Sequence, residues 1–148
     1  MNLFEKWKEF RKHCIFNSTL YDAIELTYDY RNIKFEGTYH IPETNTYIKV
    51  HKGNLQIMVK LDNWNMYLAV ERDFLCDSQG GSWSHDIYWL YDEQDYRFKY
   101  ISDMPNDFVY DFQKELVNNY DKIKVAIIEK WHDEYYKNDS DMERLVLS

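Results

Sequence analysis

The longest hydrophobic pattern in the chain runs from Asp107 to Lys137 and repeats at helical spacing. Its apolar members recur every three or four positions, at Val109, Phe112, Leu116, Tyr120, Ile123, Ile127, Trp131 and Tyr135. This spacing places one side chain per turn on a single stripe, which predicts a long amphipathic helix. About thirty residues at roughly 1.5 Å each form a rod of roughly 45 Å, and a sheet is the element best able to cover it.

Two shorter helices are predicted near the N-terminus. The first, over residues 3–14, carries its apolar side chains on one face, at Leu3, Phe4, Trp7, Phe10 and Cys14. Asn17 and Ser18 are favourable N-cap residues for a second helix, in which apolar residues recur every four positions from Leu20 to Tyr28.

From Ile33 the pattern changes to alternation, which is typical of half-buried strands. Alternating segments occupy residues 33–41, 47–51, 55–61, 66–71, 87–91 and 96–100. Short polar turns such as Lys52-Gly53-Asn54 join most of them, and such turns indicate antiparallel pairing because parallel pairs need long crossovers.

These patterns together predict an α+β fold. We expect N-terminal helices, an antiparallel β-meander of five to seven strands, and the long C-terminal amphipathic helix packed on the sheet. No linker or repeat divides the chain, so we expect a single domain over residues 1–148, with 138–148 as a tail that frays or folds back.

The region from Asp73 to Asp86 interrupts the alternation and is predicted to be a flexible connection. Two of the four glycines of the chain lie here, and they are followed by Ser82-Trp83-Ser84-His85-Asp86. Serine, histidine and aspartate are the residues of a nucleophilic triad, but near neighbours on an extended segment alternate sides and no nucleophile elbow is present. An enzyme with a site in the loop 76–86 remains an alternative hypothesis.

The cysteines and histidines predict neither a metal nor another cofactor. Cys14 and Cys76 are too few for a disulfide framework, and none of the five histidines belongs to an HExxH motif. No apolar run reaches the roughly 18 residues that a membrane span requires, and the first residues do not resemble a signal peptide. We therefore expect a reduced cytoplasmic protein.

The charge of the chain restricts its partners. Twenty-six acidic residues against eighteen basic ones give a net charge of −8, and the acidic excess grows towards the C-terminus. A surface of this sign repels nucleic-acid phosphates and anionic membranes and attracts basic proteins. We therefore expect no direct nucleic-acid binding, no membrane binding, and a protein partner with a basic surface.

Two acidic segments also contain the aromatic residues that recognise arginine and lysine. One is the turn of Asp92, Glu93 and Asp95 between two tyrosines, and the other surrounds the glycines and Trp83. Carboxylates bind basic side chains through ion pairs and hydrogen bonds, and aromatic rings bind them through cation–π contacts. The predicted partner-binding residues are Asp77, Trp83, Asp86, Tyr91, Asp92, Glu93, Asp95 and Tyr96.

The leading hypothesis is a small non-catalytic protein that binds and inhibits a basic nucleic-acid-handling enzyme, with carboxylates replacing phosphates. Phage anti-defence proteins, anti-CRISPR proteins among them, act in this way, and the chain is similar to them in size, charge and aromatic content alone. If the chain is phage-encoded, its site of action would be the host cytoplasm. The alternatives are a toxin-immunity protein, the enzyme described above, and a structural or assembly subunit; a homodimer is compatible with each.

Overall fold

The computed structural model describes residues 2–30, 33, 36–62, 65–76, 78–92, 95–98 and 103–132. Helix α1 (Leu3–Asp29) precedes six strands. The strands are β1 (Gly37–His40), β2 (Thr46–His51), β3 (Asn54–Leu61), β4 (Met66–Cys76), β5 (Ser82–Tyr91) and β6 (Asp95–Phe98). Helices α2 (Asn106–Asn118) and α3 (Tyr120–Ile127) follow, and α3 continues into a π-helical turn, Ile128–His132.

The strands form one sheet in the order β1-β2-β3-β4-β5-β6, and every neighbouring pair is antiparallel. This confirms the predicted α+β fold and its antiparallel meander. The β2–β3 connection shows how the turn residues act: Lys52 and Gly53 both have positive φ, at 51° and 84°, between the paired residues His51 and Asn54. Two consecutive residues of positive φ match the right-handed twist of a tight hairpin.

The β4–β5 hairpin is longer than the sequence pattern indicated. Arg72 pairs with Asp86, and the pairing continues through Asp73–His85 to Cys76–Ser82. The predicted flexible connection over residues 73–86 is therefore wrong for most of its length, because its two sides are strands. The alternation disappears on the β5 side because Ser82, Trp83 and Ser84 are all exposed, so the two faces of this segment do not differ in burial.

One continuous helix replaces the two predicted at the N-terminus. Its N-cap is Asn2, whose side chain accepts a hydrogen bond from the backbone N–H of Glu5 at 2.9 Å. The predicted cap residue Asn17 lies inside the helix, and its side chain contacts His13 one turn earlier at 3.0 Å. With no glycine or proline between residues 3 and 29, nothing in the sequence stops the helix at its polar middle.

The single long C-terminal helix is not confirmed. The chain leaves helical geometry at Asn119, where φ is −109° and ψ is 15°, and α3 begins at the next residue. The side-chain amide of Asn119 donates to the backbone oxygen of Glu115 at 3.1 Å, a local bond that competes with helix continuation. Residues 133–137 of the predicted helix, and the predicted tail 138–148, lie outside the described residues.

The three helices pack on one side of the sheet, as the stripe predicted. Phe112, Leu116, Ile123 and Ile127 are fully buried, and the ring of Phe112 meets the edge of Tyr88 from β5 at 6.5 Å between centroids. Their core also contains sheet residues and the C-terminal part of α1: Ala23, Ile24, Leu26, Ile48, Val50, Leu55, Ile57, Val59, Leu61, Leu68, Val70, Tyr88 and Leu90. Within the described part of the chain, no helix has the length and apolarity needed to cross a membrane.

Candidate functional site

The structure separates the predicted partner-binding residues into two groups at opposite ends of β5. Trp83 and Asp86 lie towards the β4–β5 turn, whereas Tyr91 and Asp92 lie at the other end. Nine residues of strand at about 3.3 Å each put roughly 30 Å between Trp83 and Asp92. Tyr96 lies in β6 opposite Leu90. These five residues therefore do not form one continuous patch.

The remaining three predicted residues are described only in part or not at all. Asp77 and Glu93 lie outside the described residues. The backbone of Asp95 pairs with Tyr91 at the start of β6, so Asp95 lies at the same end of the sheet as Asp92. The acidic turn between β5 and β6 therefore stays a prediction and is the alternative to the acidic groove described below.

Asp86 connects the sheet to α1 through a shared contact with Arg72. Its Oδ1 accepts a hydrogen bond from Arg72 Nε at 2.8 Å, and Arg72 Nη1 donates to Glu25 Oε2 at 3.1 Å. The guanidinium also lies 4.6 Å from the ring centroid of Tyr21. Burial alone would lower the pKa of Arg72, but the hydrogen bond and charge of Asp86 raise it above its ordinary value. Asp86 therefore stabilises the β4–α1 contact.

Three of the predicted aromatic residues differ in their exposure. Tyr91 is 9% exposed and its hydroxyl donates to Gln56 Oε1 at 2.8 Å, so it belongs to the interior of the sheet. Trp83 and Tyr96 are about half exposed, at 48% and 46%. Only these two present ring surface that a partner could cover.

Ser84 and His85, the enzyme-like pair of the sequence, lie on opposite faces of the sheet. Ser84 pairs with Phe74 and His85 pairs with Asp73, and consecutive residues of a strand point in opposite directions. The serine hydroxyl and the neighbouring imidazole therefore do not converge. Among the residues that the structure describes, no group of three or more histidine, cysteine or carboxylate side chains is arranged to hold a metal ion.

A buried polar network lies on the side of the sheet away from the helices, here called the open side. Gln56 is fully buried and Glu71 is 2% exposed. Glu71 Oε1 accepts hydrogen bonds from Trp89 Nε1 and, at 3.4 Å, from Gln56 Nε2, while Gln56 accepts from Tyr91. Glu71 Oε2 is buried without a hydrogen-bond partner among the described residues.

Burial and the hydrogen bonds of the network shift the pKa of Glu71 in opposite directions. Burial raises its pKa above the ordinary value of 4.5, the hydrogen bonds from Trp89 and Gln56 lower it, and the nearby charge of Asp73 raises it again; the net change is upward. Sequence patterning does not reveal this carboxylate, because a glutamate at the polar position of a strand predicts exposure. The one available signal was its position after Leu68-Ala69-Val70, a fully apolar run.

A second acidic surface, the acidic groove, lies between α1 and α3. Asp22, Glu25 and Asp29 follow one another at helical spacing along α1 and face Tyr120 and Lys124 across a shallow cavity of about 520 Å³. Partial burial raises the pKa of Tyr120, and so do the charges of Asp22, Asp121 and Asp29. Three carboxylates therefore act on Tyr120, two from α1 and one, Asp121, from the next position of α3.

The sequence alone indicates the α1 side of this groove but not the side that α3 contributes. The spacing of Asp22, Glu25 and Asp29 indicates a shared helix face. Tyr120 and Lys124 are about a hundred positions further along the chain, and only the packing of α3 against α1 brings them to the same cavity.

The N-terminal half of α1 carries the most exposed apolar surface among the described residues. Four of its side chains form what we call the aromatic stripe; their exposed fractions are 85% for Leu3, 61% for Phe4, 52% for Trp7 and 63% for Phe10. Lys8 lies over the Phe4 ring at 4.5 Å, and Arg11 lies over the Trp7 ring at 5.0 Å. Contiguous exposed apolar surface of this kind marks protein interaction sites.

Comparison with known proteins adds no family or homologous fold: no family model matches the chain, and neither a curated protein nor a solved structure shows significant similarity to it. The function is therefore inferred from the surfaces described above.

Proposed function

We propose that this protein is a small, acidic, non-catalytic cytoplasmic protein that binds a basic protein partner through the acidic groove. The observation that carries the proposal is the convergence of Asp22, Asp29 and Asp121 around Tyr120. Carboxylates beside a tyrosine ring form ion pairs, bidentate hydrogen bonds and cation–π contacts with arginine and lysine.

The arrangement of the groove supports a partner that normally binds nucleic acid. Asp22 and Asp29 lie seven residues apart on α1, or roughly 10.5 Å along the helix axis, while Glu25 between them is paired with Arg72. Three axial steps of about 3.4 Å between phosphates of one DNA strand span about the same distance. Negative charges at this spacing suit a cationic groove built for phosphates, so inhibition of a nucleic-acid-handling enzyme is the narrower form of the proposal.

The test uses the immobilised protein to capture partners from a cell lysate at low and at high salt, followed by elution with duplex DNA. The expected result is capture of a nucleic-acid-binding protein that is lost at high salt, because exposed charges are screened. Duplex DNA should release that protein, since both ligands would occupy the same groove of the enzyme. Capture that is indifferent to salt and to DNA would contradict the proposal.

Two matched variants locate the binding surface. The groove variant carries Asp22→Asn, Asp29→Asn and Asp121→Asn, and the turn variant carries Asp92→Asn, Glu93→Gln and Asp95→Asn. Each removes three negative charges, so a difference between them reports position and not net charge. We expect the groove variant to bind at least about tenfold more weakly, equivalent to about 1.4 kcal/mol, and the turn variant to bind normally. The reverse pattern would assign the interface to the β5–β6 turn and overturn the groove.

A further inference from the structure

The aromatic stripe and the buried part of α1 lie on opposite sides of the same helix. At about 100° per residue, Leu3, Trp7 and Phe10 centre roughly 150° away from the core residues Ala23 to Thr27. The stripe therefore faces away from the sheet, and no residue of α1 before Ala23 is buried. An intramolecular partner for the stripe is absent from the part of the chain that the structure describes.

We infer that two copies of this chain associate through α1, with their helices antiparallel and the aromatic stripe of each copy lying on the acidic half of the other. This goes beyond the proposed function, because the pairing needs no further protein. Such an interface is isologous: the same surface serves both copies and must complement itself.

The charges of α1 supply this complementarity. Residues 3–19 contain four basic and two acidic side chains, whereas residues 20–29 contain three acidic and no basic ones. An antiparallel pair centred near Phe16 places Phe10 opposite Asp22 and Trp7 opposite Glu25 of the second copy. Lys8, which lies over the Phe4 ring, and Arg11, which lies over the Trp7 ring, then approach the acidic half of that copy. A parallel pair would instead place basic residues on basic residues.

The exposed area is sufficient for a specific dimer. Each aromatic ring of the stripe is somewhat more than half exposed, which corresponds to roughly 100 Å² of the 150–250 Å² that an aromatic side chain buries. Together with Leu3, the three rings offer roughly 450 Å² of apolar area per copy, and two copies reach roughly 900 Å², close to the lower limit of about 1,000 Å² for a specific interface.

Sedimentation velocity of the full chain over a range of concentrations measures the oligomeric state and tests this inference directly. We expect the wild type to dimerise, and the variant Trp7→Ser/Phe10→Ser to dissociate at least about thirtyfold more readily, as expected for loss of interface hot spots. The matched control, Tyr110→Ser/Val125→Ser, removes side chains that are 60% and 51% exposed elsewhere. It should dimerise like the wild type. A monomeric wild type, or equal loss in both variants, would overturn the inference.

Salt distinguishes the antiparallel arrangement from other pairings. Opposite charges across the interface weaken it as salt rises, whereas like charges in a parallel pair would make salt strengthen it. A charge exchange gives a second test that does not depend on the aromatic side chains. Lys8→Glu/Arg11→Glu and Asp22→Lys/Asp29→Lys should each dimerise poorly alone and form a mixed dimer with each other. Strengthening by salt, or absence of the mixed dimer from folded variants, would contradict the proposed pairing.

The dimer and the basic partner can be separated experimentally because both would cover Asp22. Trp7→Ser/Phe10→Ser should abolish the dimer while retaining, or increasing, the salt-sensitive capture of a basic protein. Dimerisation without any capture would refute the proposed function and leave the pairing intact. If the wild type captures a basic protein but is monomeric at every concentration, the proposed pairing is refuted and the proposed function stands.

Discussion

The two sides of the sheet bury their residues by different means, although they share the same six strands. On the helix-covered side, apolar side chains such as Leu68 and Val70 are buried beneath Phe112 and its neighbours. On the open side, the smaller core of Met58, Ala69 and Tyr91 consists of sheet residues within the part of the chain that the structure describes, and it surrounds the buried polar pair Gln56 and Glu71. On the first side, helices exclude water from the buried residues. On the second side, long aromatic side chains of the sheet itself do so.

This difference shows that the side chains of a sheet face can bury a carboxylate with no helix above it among the described residues. The rings of Trp89 and Tyr91 are parallel, with 6.1 Å between their centroids, and Lys49 Nζ lies 4.0 Å from the Tyr91 ring centroid. The His51 ring contacts the Trp89 ring with 5.5 Å between centroids. Long side chains from neighbouring strands reach over shorter ones and exclude water from them. The alternation of polar and apolar residues therefore identifies the face of a side chain but not its depth.

The largest expected effect lies on the helix-covered side. Phe112→Ala removes a fully buried ring and should lower the free energy of unfolding by about 3–5 kcal/mol, because the cavity is closed in by both helices and sheet. Tyr110→Ala, two residues earlier and 60% exposed, is the matched control and should change it by less than about 0.5 kcal/mol. Urea denaturation measures both. Equal effects would mean that α2 does not bury its stripe.

A smaller effect is expected from the polar network of the open side. Gln56→Leu keeps the size of a fully buried side chain but removes the acceptor of Tyr91 and a donor to Glu71. It should destabilise the protein by about 1–3 kcal/mol, the cost of leaving buried polar groups unpaired. In a double-mutant cycle, Tyr91→Phe should recover part of that loss, since the hydroxyl that donated to Gln56 is then removed as well. A stabilising Gln56→Leu would show that the open side behaves as an ordinary apolar surface.

The smallest effect, and the most diagnostic, is the pH dependence of Glu71→Gln. Because the folded state raises the pKa of Glu71 above 4.5, the wild type is stabilised by this group at low pH and loses that contribution as pH rises above 4.5. Glutamine keeps an oxygen for the donor Trp89 and cannot ionise. The variant should therefore match the wild type below pH 4.5 and exceed it in stability at neutral pH.

Chemical denaturation at several pH values measures this difference. Glu115→Gln is a suitable control, because this partly exposed carboxylate accepts hydrogen bonds from Asn45 and Thr46 without being buried. A stability difference between wild type and Glu71→Gln that did not vary with pH would show that the buried carboxylate does not titrate differently in the two states.

Local spacing in the sequence determined most of the architecture. A stripe at helical spacing predicted the inward face of α2 and α3, including Phe112, Leu116, Ile123 and Ile127, and all four are buried. Alternation and short polar turns predicted the antiparallel meander, and the tight turn at Lys52-Gly53 has the backbone geometry expected of it. These features depend on neighbours within a few residues, so a linear pattern contains them.

The tertiary structure decided the features that depend on distant residues. The pairing of residues 73–76 with 82–85 and the burial of Glu71 both require contacts with other elements. The acidic groove likewise needs α3 to pack against α1. The sequence also predicted the amphipathic stripe of Leu3, Trp7 and Phe10, but only the fold shows that it points away from the core. Composition fixes how much charge and aromatic surface the chain carries, whereas packing decides which of it remains available to a partner.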